Sequence, residues 1–316
     1  EEADIIHLHW INQGFLSLRD IERLVKLNKP IVWTMHDMWP CTGICHHARD
    51  CEKFQTECES CFFLKSKGKD LSTSVFDKKM SLYKDANITF VGCSRWLSGR
   101  AKKSYLLRGK AVLSIPNPID TKVYHPMDQG MARELLGLPS GKRLLLFGAL
   151  NVTDKRKGID YLIEALRRME KQDVELVVFG QVKDDIRGLF PVPIHSMGYL
   201  SDESKIVALY NAVDMFITSS LEENLPNTIM ESMACGTPCV GFEIGGIPEM
   251  IDHRVNGYVA NYKDAGDLAN GIQWVLEHED RLALSDACVK KVQENYTEEV
   301  VAKQYTALYE KLLKGE

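Results

Sequence analysis

Short apolar runs alternate with longer segments of helical period along the whole chain. ADIIHLHW (3–10), PIVWTMHD (30–37), ITFVGCS (88–94) and AVLSIPN (111–117) are rich in β-branched and aromatic residues. Most are apolar on both faces, the pattern of strands in a covered parallel sheet. Between the first two, SLRDIERLVKLN (17–28) has the spacing of an amphipathic helix, opened by a serine and closed by NKP. A second series supplies the strands RLLLFGAL, VELVVFG, IHSMGYL, MFITSS, PCVGFE and GYVAN. The helical segments GIDYLIEALRRMEK, DESKIVALYNA, PNTIMESMAC and DLANGIQWVLEHE lie among them. Strands alternating with helices predict α/β domains of the doubly wound kind. NPIDTKVYHPMDQG (117–130) has the proline and glycine content of a boundary.

The expected organisation is a first domain over 1–124, a second over 125–296 and a closing helix over 297–316. The first series has four strands and the second six, and no glycine-rich turn opens the first. That asymmetry predicts a first domain that is small or that lacks its natural beginning.

A chain of 316 residues suits two domains better than one core. Its formal net charge of −5 argues against nucleic acid as the main partner. No apolar run approaches the roughly 20 residues that span a bilayer. The opening EEADIIHLHW has neither the basic start nor the long apolar segment of a signal peptide. Together these features predict a cytoplasmic protein.

The stretch SSLEENLPNTIMESMACGTPCVGFEIGGIPEMI (219–251) carries the clearest chemistry. Glu223 and Glu231 flank a helix start, with Pro226 suited to its first position. Unpaired amides and the helix dipole make such a start welcoming to a phosphate. Carboxylates beside it make sense if they accept hydrogen bonds from hydroxyls attached to that phosphate. A nucleotide sugar has ribose hydroxyls on one side of its pyrophosphate and hexose hydroxyls on the other. Taken alone, either glutamate is more simply a solvated acid on an amphipathic helix.

The ordered set IPNPIDTKVYHP, GALNVTDKRKGIDYLIEAL, the stretch above and NGYVA resembles the retaining glycosyltransferases of family four, which have the GT-B fold. The resemblance implies two Rossmann-like domains facing a cleft. It implies that Glu223 contacts the donor sugar, that Glu231 contacts the ribose hydroxyls, and that amides around Asn224 and Leu225 face the distal phosphate. Lys157 matches the family lysine. Ala149 stands where the family has an arginine, so Lys155 or Arg156 is the expected replacement. Gly148 and Tyr199 complete the donor-binding set. His36, ending the second strand, takes the place of a histidine near donor sugar and acceptor, with Asp37 orienting it. Glu223, Lys157 and His36 form the expected catalytic set.

The implied reaction moves a sugar, with retention, from a UDP- or GDP-linked donor to a hydroxyl of a glycan or lipid-linked acceptor. The implied setting is bacterial cell-surface polysaccharide synthesis, with no cofactor for catalysis. Two rivals remain: a nucleotide-sugar epimerase of the same fold, and an inactive donor-binding fragment or interaction module. SRWLSGRAKKSYLLRGK (94–110) holds six Lys or Arg and no acid. It is either a solvated helix face or a peripheral contact with the inner face of the plasma membrane. His7 and His9 alternate on a strand and are expected to pack.

Five of the nine cysteines fall in 41–61, an insert directly after Asp37. Cys58 and Cys61 have zinc-knuckle spacing, and Cys45 and Cys51 are spaced more widely. The set admits structural zinc on Cys45, Cys51, Cys58 and Cys61, disulfides, or free thiols, with Cys41 spare.

Overall fold

The computed structural model describes residues 2–152, 154–169, 173–181 and 187–315, apart from the side chains of Leu150 and Arg187. Thr153, in the predicted basic loop, and residues 170 and 171, at the end of the helical segment begun at Gly158, lie outside the described residues.

Strands β1 (Ile6–Leu8), β2 (Ile31–Met35), β3 (Ile88–Gly92) and β4 (Val112–Ser114) form a four-stranded sheet in that order, every neighbour parallel. Each lies inside its predicted run and is shorter than it. Helices α1 (Leu18–Val25), α2 (Leu71–Tyr83) and α3 (Arg95–Lys102) connect the strands. Ser17 caps α1 in a capping box with Asp20, and Asp70 does the same for α2 with Thr73. The strands alternate faces as a pleated sheet must. Trp33 and Phe90 point to one side, where they stack with each other at 5.9 Å and the Tyr83 ring of α2 meets them edge-on at 6.1 and 5.3 Å. Val32 and Val91 point to the other, packing with Ile115 against Val301 and Leu308 of the last helix.

The second series begins with α4 (Gln129–Leu136), then β5 (Arg143–Asn151), α5 (Ile159–Arg168), β6 (Val174–Gln181) and β7 (Ile194–Gly198). It continues with α6 (Glu203–Ala212), β8 (Met215–Thr218), α7 (Asn227–Ala234), β9 (Cys239–Phe242), α8 (Ile247–Met250) and β10 (Gly257–Ala260). Helices α9 (Ala265–Leu276), α10 (Arg281–Asn295) and α11 (Glu298–Lys314) follow. The six strands are parallel in the order β10-β9-β8-β5-β6-β7. Renumbered within the sheet this is the dinucleotide-fold order 3-2-1-4-5-6, which places a crevice outside the carboxyl ends of β5 and β8, where the strand order reverses. Leu145, Phe147, Leu176, Val178 and Ile217 bury one face beneath α5 and α9.

Contacts divide the chain into two units, residues 117–300 and residues 1–116 with 301–316. The division falls after Pro116, at the edge of the 117–130 segment and eight residues before the expected end of the first domain at 124, because Ile119 already bridges to Thr297. Most of the predicted closing helix, from Val301 onward, belongs to the first unit.

Candidate functional site

The crevice of the second unit is built by two loops laced together at the carboxyl ends of β5 and β8. After β5, Asp154 caps a single turn of 3-10 helix, Lys155–Lys157, and Gly158 reverses the chain into α5 with φ +64°. A Cβ at 158 would lie 1.9 Å from the Ser219 carbonyl oxygen, so only glycine fits this approach. Ser219 Oγ donates to the Lys157 carbonyl at 3.0 Å, and Leu221 N donates to the Arg156 carbonyl at 2.7 Å. This lacing brings Lys157 Nζ to 2.5 Å from Glu223 Oε1. The lysine side chain is one-third exposed and the glutamate 14%, so the pair sits at a wall open to solvent.

Behind Glu223, the backbone at Gly245 and Gly246 forms a wedge. Gly245 (φ +59°) packs on the Glu223 carbonyl, where a Cβ would come within 2.0 Å, and Gly246 N donates to the Asn224 carbonyl at 2.6 Å. Asn224 and Leu225 are buried. Pro226 is the cap of α7 with extended ψ, one position earlier than the expected first helical residue. No side chain caps α7, and of its first amides Ile229 N donates to the Pro226 carbonyl at 3.1 Å.

Glu231 lies one turn inside α7. Burial raises its carboxyl pKa; the hydrogen bond from Tyr210 Oη at 2.7 Å opposes that rise, and the charge of Glu203 adds to it. Tyr210 is fully buried on α6 and was not anticipated, since nothing in its spacing marks it.

Gly148 and Gly180 let β5 and β6 approach closely: a Cβ at 148 would strike the Phe179 ring at 1.8 Å, and one at 180 the Ala149 carbonyl at 1.7 Å. Arg156, expected as a replacement cation, is paired within its own turn, though the charges of Glu222 and Glu223 also act on it. Its Nε and Nη2 grip Asp154 of its own turn, with the shortest contact 2.6 Å. Lys155 is exposed. Tyr199, 61% exposed, follows edge strand β7, two strands from β5 in the sheet.

His36 belongs to the first unit. β1 and β2 there end in a stripe of His7, His9, Thr34 and His36. His9 Nδ1 is 3.1 Å from His36 Nε2, and His7 bridges Thr34 Oγ1 at 2.8 Å and Tyr309 Oη at 2.6 Å. Burial first, and then the neighbouring imidazole of His9, lowers the pKa of His36, while Asp37 opposes the shift. His7 packs as expected; His9 is exposed and joins His36 instead. Asp37 accepts from Trp10 Nε1 at 3.0 Å and from the Trp39 amide at 2.8 Å, and its Oδ2 lies 2.7 Å from His46 Nδ1. It therefore anchors the start of the insert, through Trp39 and His46.

Lys79 of α2 holds the insert from beneath. Fully buried, it donates to the carbonyls of Trp39, Thr42 and Gly43 at 2.5–3.1 Å and lies 3.4 Å from the Trp39 ring centroid. The nine cysteines are free thiols, and Gly43 N donates to Cys58 Sγ at 3.3 Å. Among the described residues no group of three or more His, Cys, Asp or Glu is arranged to hold a metal ion. The four cysteines expected to hold structural zinc, Cys45, Cys51, Cys58 and Cys61, nevertheless lie near one another: after burial, the Cys51 and Cys61 sulfurs push the Cys45 thiol up, and Cys45 and Cys51 do the same to Cys58. In the basic stretch, Arg100 donates to the Cys51 carbonyl and lies over the Phe54 ring, and Lys110 caps the Lys84 and Ala86 carbonyls. Two of its six cations are therefore structural.

Comparison with known proteins bears on the same loops. Residues 141–278 match the family Glycosyl transferases group 1. This group 1 segment contains Gly148, Lys157, Glu223 and Glu231. An N-acetyl-alpha-D-glucosaminyl L-malate synthase of Bacillus anthracis is 24% identical over 213 residues, 66% of this chain and 55% of that protein. An Escherichia coli K12 protein named as a colanic acid biosynthesis glycosyl transferase is 23% identical over 253 residues, 75% of this chain and 59% of that protein. The chain thus spans little more than half the length of these relatives. The crystal structure of Anabaena HepE in complex with UDP superposes with a TM-score of 0.73 at 18% identity, covering 98% of this chain and 79% of that one. That likeness shows the fold, of the GT-B type. Among the described residues no helix is long and apolar enough to cross a membrane.

Proposed function

We propose that the chain is a retaining glycosyltransferase that moves a sugar from a nucleoside-diphosphate sugar to an acceptor hydroxyl in bacterial cell-surface polysaccharide synthesis. The observation that carries this reading is the Lys157–Glu223 pair at 2.5 Å, set at the switch point of a 3-2-1-4-5-6 sheet beside an uncapped helix start. Negative charge grows on the leaving diphosphate as the glycosidic bond breaks. The Lys157 ammonium and the first amides of α7 meet that charge. Glu223 exchanges its lysine partner for hydroxyls of the transferred sugar, and Glu231, buried and held by Tyr210, takes the ribose diol. The departing phosphate oxygen removes the acceptor proton on the same face, so no carboxylate nucleophile and no metal is given a role. His36, with a lowered pKa, stays neutral near pH 7 and serves the acceptor side as a hydrogen-bonding group.

The E. coli relative named for colanic acid synthesis supports the polysaccharide setting, and the UDP complex of the Anabaena protein supports a uridine diphosphate donor. The test is a thermal-shift and calorimetric screen against UDP, GDP, ADP and CMP, followed by mass spectrometry with the matching sugar donors. Stabilisation by one nucleoside diphosphate and transfer to a glycan or lipid-linked acceptor are expected. Indifference to every nucleoside diphosphate would end the proposal. Epimerised or freed sugar without any acceptor would replace it with the epimerase reading.

A further inference from the structure

The end of the cysteine-rich insert is a closed loop, residues 60–69. Ser60 N donates to the Gly68 carbonyl and Gly68 N to Ser60 Oγ, both at 2.8 Å. Leu64 N turns back to the Cys61 carbonyl at 3.1 Å. From the cap of α2, the Asp70 carboxylate accepts the Cys61 amide at 2.8 Å and the Ser66 hydroxyl. The loop is thus tied at its base and across its neck.

What this scaffold presents is apolar. Phe62, Phe63 and Leu64 are 44%, 45% and 39% exposed on consecutive positions. The two phenyl rings lie with centroids 4.0 Å apart, and the Arg49 guanidinium lies 5.7 and 5.3 Å from them. Lys65, Lys67 and Lys69 follow, all exposed, and no acid occurs between residues 60 and 69. Contiguous exposed apolar side chains mark a surface that is covered in use. Cations of one sign around them select an anionic cover. Two copies of this chain meeting through the loop would oppose lysine to lysine, which disfavours a self-contact.

We propose that the 60–69 loop docks the protein on an anionic lipid bilayer. Phe62, Phe63 and Leu64 enter the boundary between headgroups and acyl chains, while Lys65, Lys67, Lys69 and Arg49 meet the headgroup phosphates. So small an apolar tip gives reversible attachment that weakens with salt. The surface is separate from the 94–110 stretch, and it stands or falls independently of the transfer reaction.

The experiment is co-sedimentation of the whole chain with phosphatidylglycerol–phosphatidylcholine vesicles and with pure phosphatidylcholine vesicles, without nucleotide sugar. Binding to the anionic vesicles, reduced by salt, is expected. The double variant Phe62→Ser/Phe63→Ser and the triple variant Lys65→Gln/Lys67→Gln/Lys69→Gln should each lose at least tenfold, while Lys102→Gln/Lys103→Gln retains binding. Thermal unfolding of each variant checks its fold. As a second readout, Phe62→Trp should shift its emission to the blue on mixing with anionic vesicles. Unchanged binding by the phenylalanine variant, an unshifted tryptophan, or phenylalanine-dependent dimerisation in place of vesicle binding would overturn the proposal.

Discussion

Tyr210 of α6, fully buried, donates its hydroxyl to Glu231 of α7 at 2.7 Å. Burial raises the Glu231 pKa and this hydrogen bond restrains the rise. Tyr210→Phe should therefore lift the Glu231 pKa further. In the proposed role of Glu231, nucleotide binding needs the carboxylate form, so it should be lost as pH falls through that pKa. In the variant the loss should begin at a higher pH, with affinity near pH 8 within a few-fold of wild type. Calorimetry with UDP across pH 5–8 checks this, and superimposable pH profiles would remove Tyr210 from the positioning role.

Lys157 and Glu223 are each other's partner at 2.5 Å, so their effects on binding should be coupled. Lys157→Ala leaves the Glu223 carboxylate facing the bound diphosphate and should weaken UDP binding roughly 10- to 100-fold, about 1.4 kcal/mol for each factor of ten. Glu223→Gln should leave UDP affinity almost unchanged while turnover falls at least 100-fold. In the double variant, part of the lysine's cost should disappear. Strictly additive losses in a double-mutant cycle would show that the pair does not act as a unit.

Gly245→Ala tests the wedge behind the site. The left-handed backbone costs alanine about 1 kcal/mol, and the added Cβ meets the Glu223 carbonyl, which is backbone and cannot swing aside. Donor affinity should fall more than tenfold with the protein still folded. Gly14→Ala is the control, because its φ is also positive but no atom lies within 4 Å of the added Cβ.

His7 predicts an acid limb of stability. Burial, followed by the charges of His9 and His36, lowers its pKa to about 4. Between the unfolded value near 6.5 and the folded value near 4, the unfolded chain holds a proton that the native state does not. Stability therefore falls as pH drops through that window, by on the order of 1–3 kcal/mol. Urea midpoints at pH 7, 5.5 and 4.5 should decline, and His7→Gln should flatten the decline.

Apolar runs such as IVWTM and LVVF announced their strands because burial on both faces leaves little room for polar residues. Ser17 announced α1 because a cap needs only its neighbours. Helix α2 was missed: Asp70 and Thr73 start it, but its buried anchor is Lys79, whose three carbonyl partners lie about 40 positions earlier in the chain. Helix α4 begins inside the segment read as a boundary, and α10 carries few buried side chains to mark a period. Glu223 and Lys157 were legible by family resemblance, yet their contact rests on the close approach of Gly158 to Ser219. Tyr210 and Asp154 were not legible, because a hydroxyl that holds a carboxylate on another helix leaves no spacing to count. Arg156 had the right charge, but Asp154, two positions before it, engages it.

The first unit is assembled from two separate stretches of chain, and the second from one. Val301 and Leu308 complete the apolar layer begun by Val32, Val91 and Ile115. On the ribosome, the unit of residues 117–300 can finish folding as soon as residue 300 has cleared the exit tunnel, whereas the unit that carries His36 must wait, one face of its sheet still wet, for α11 to be made.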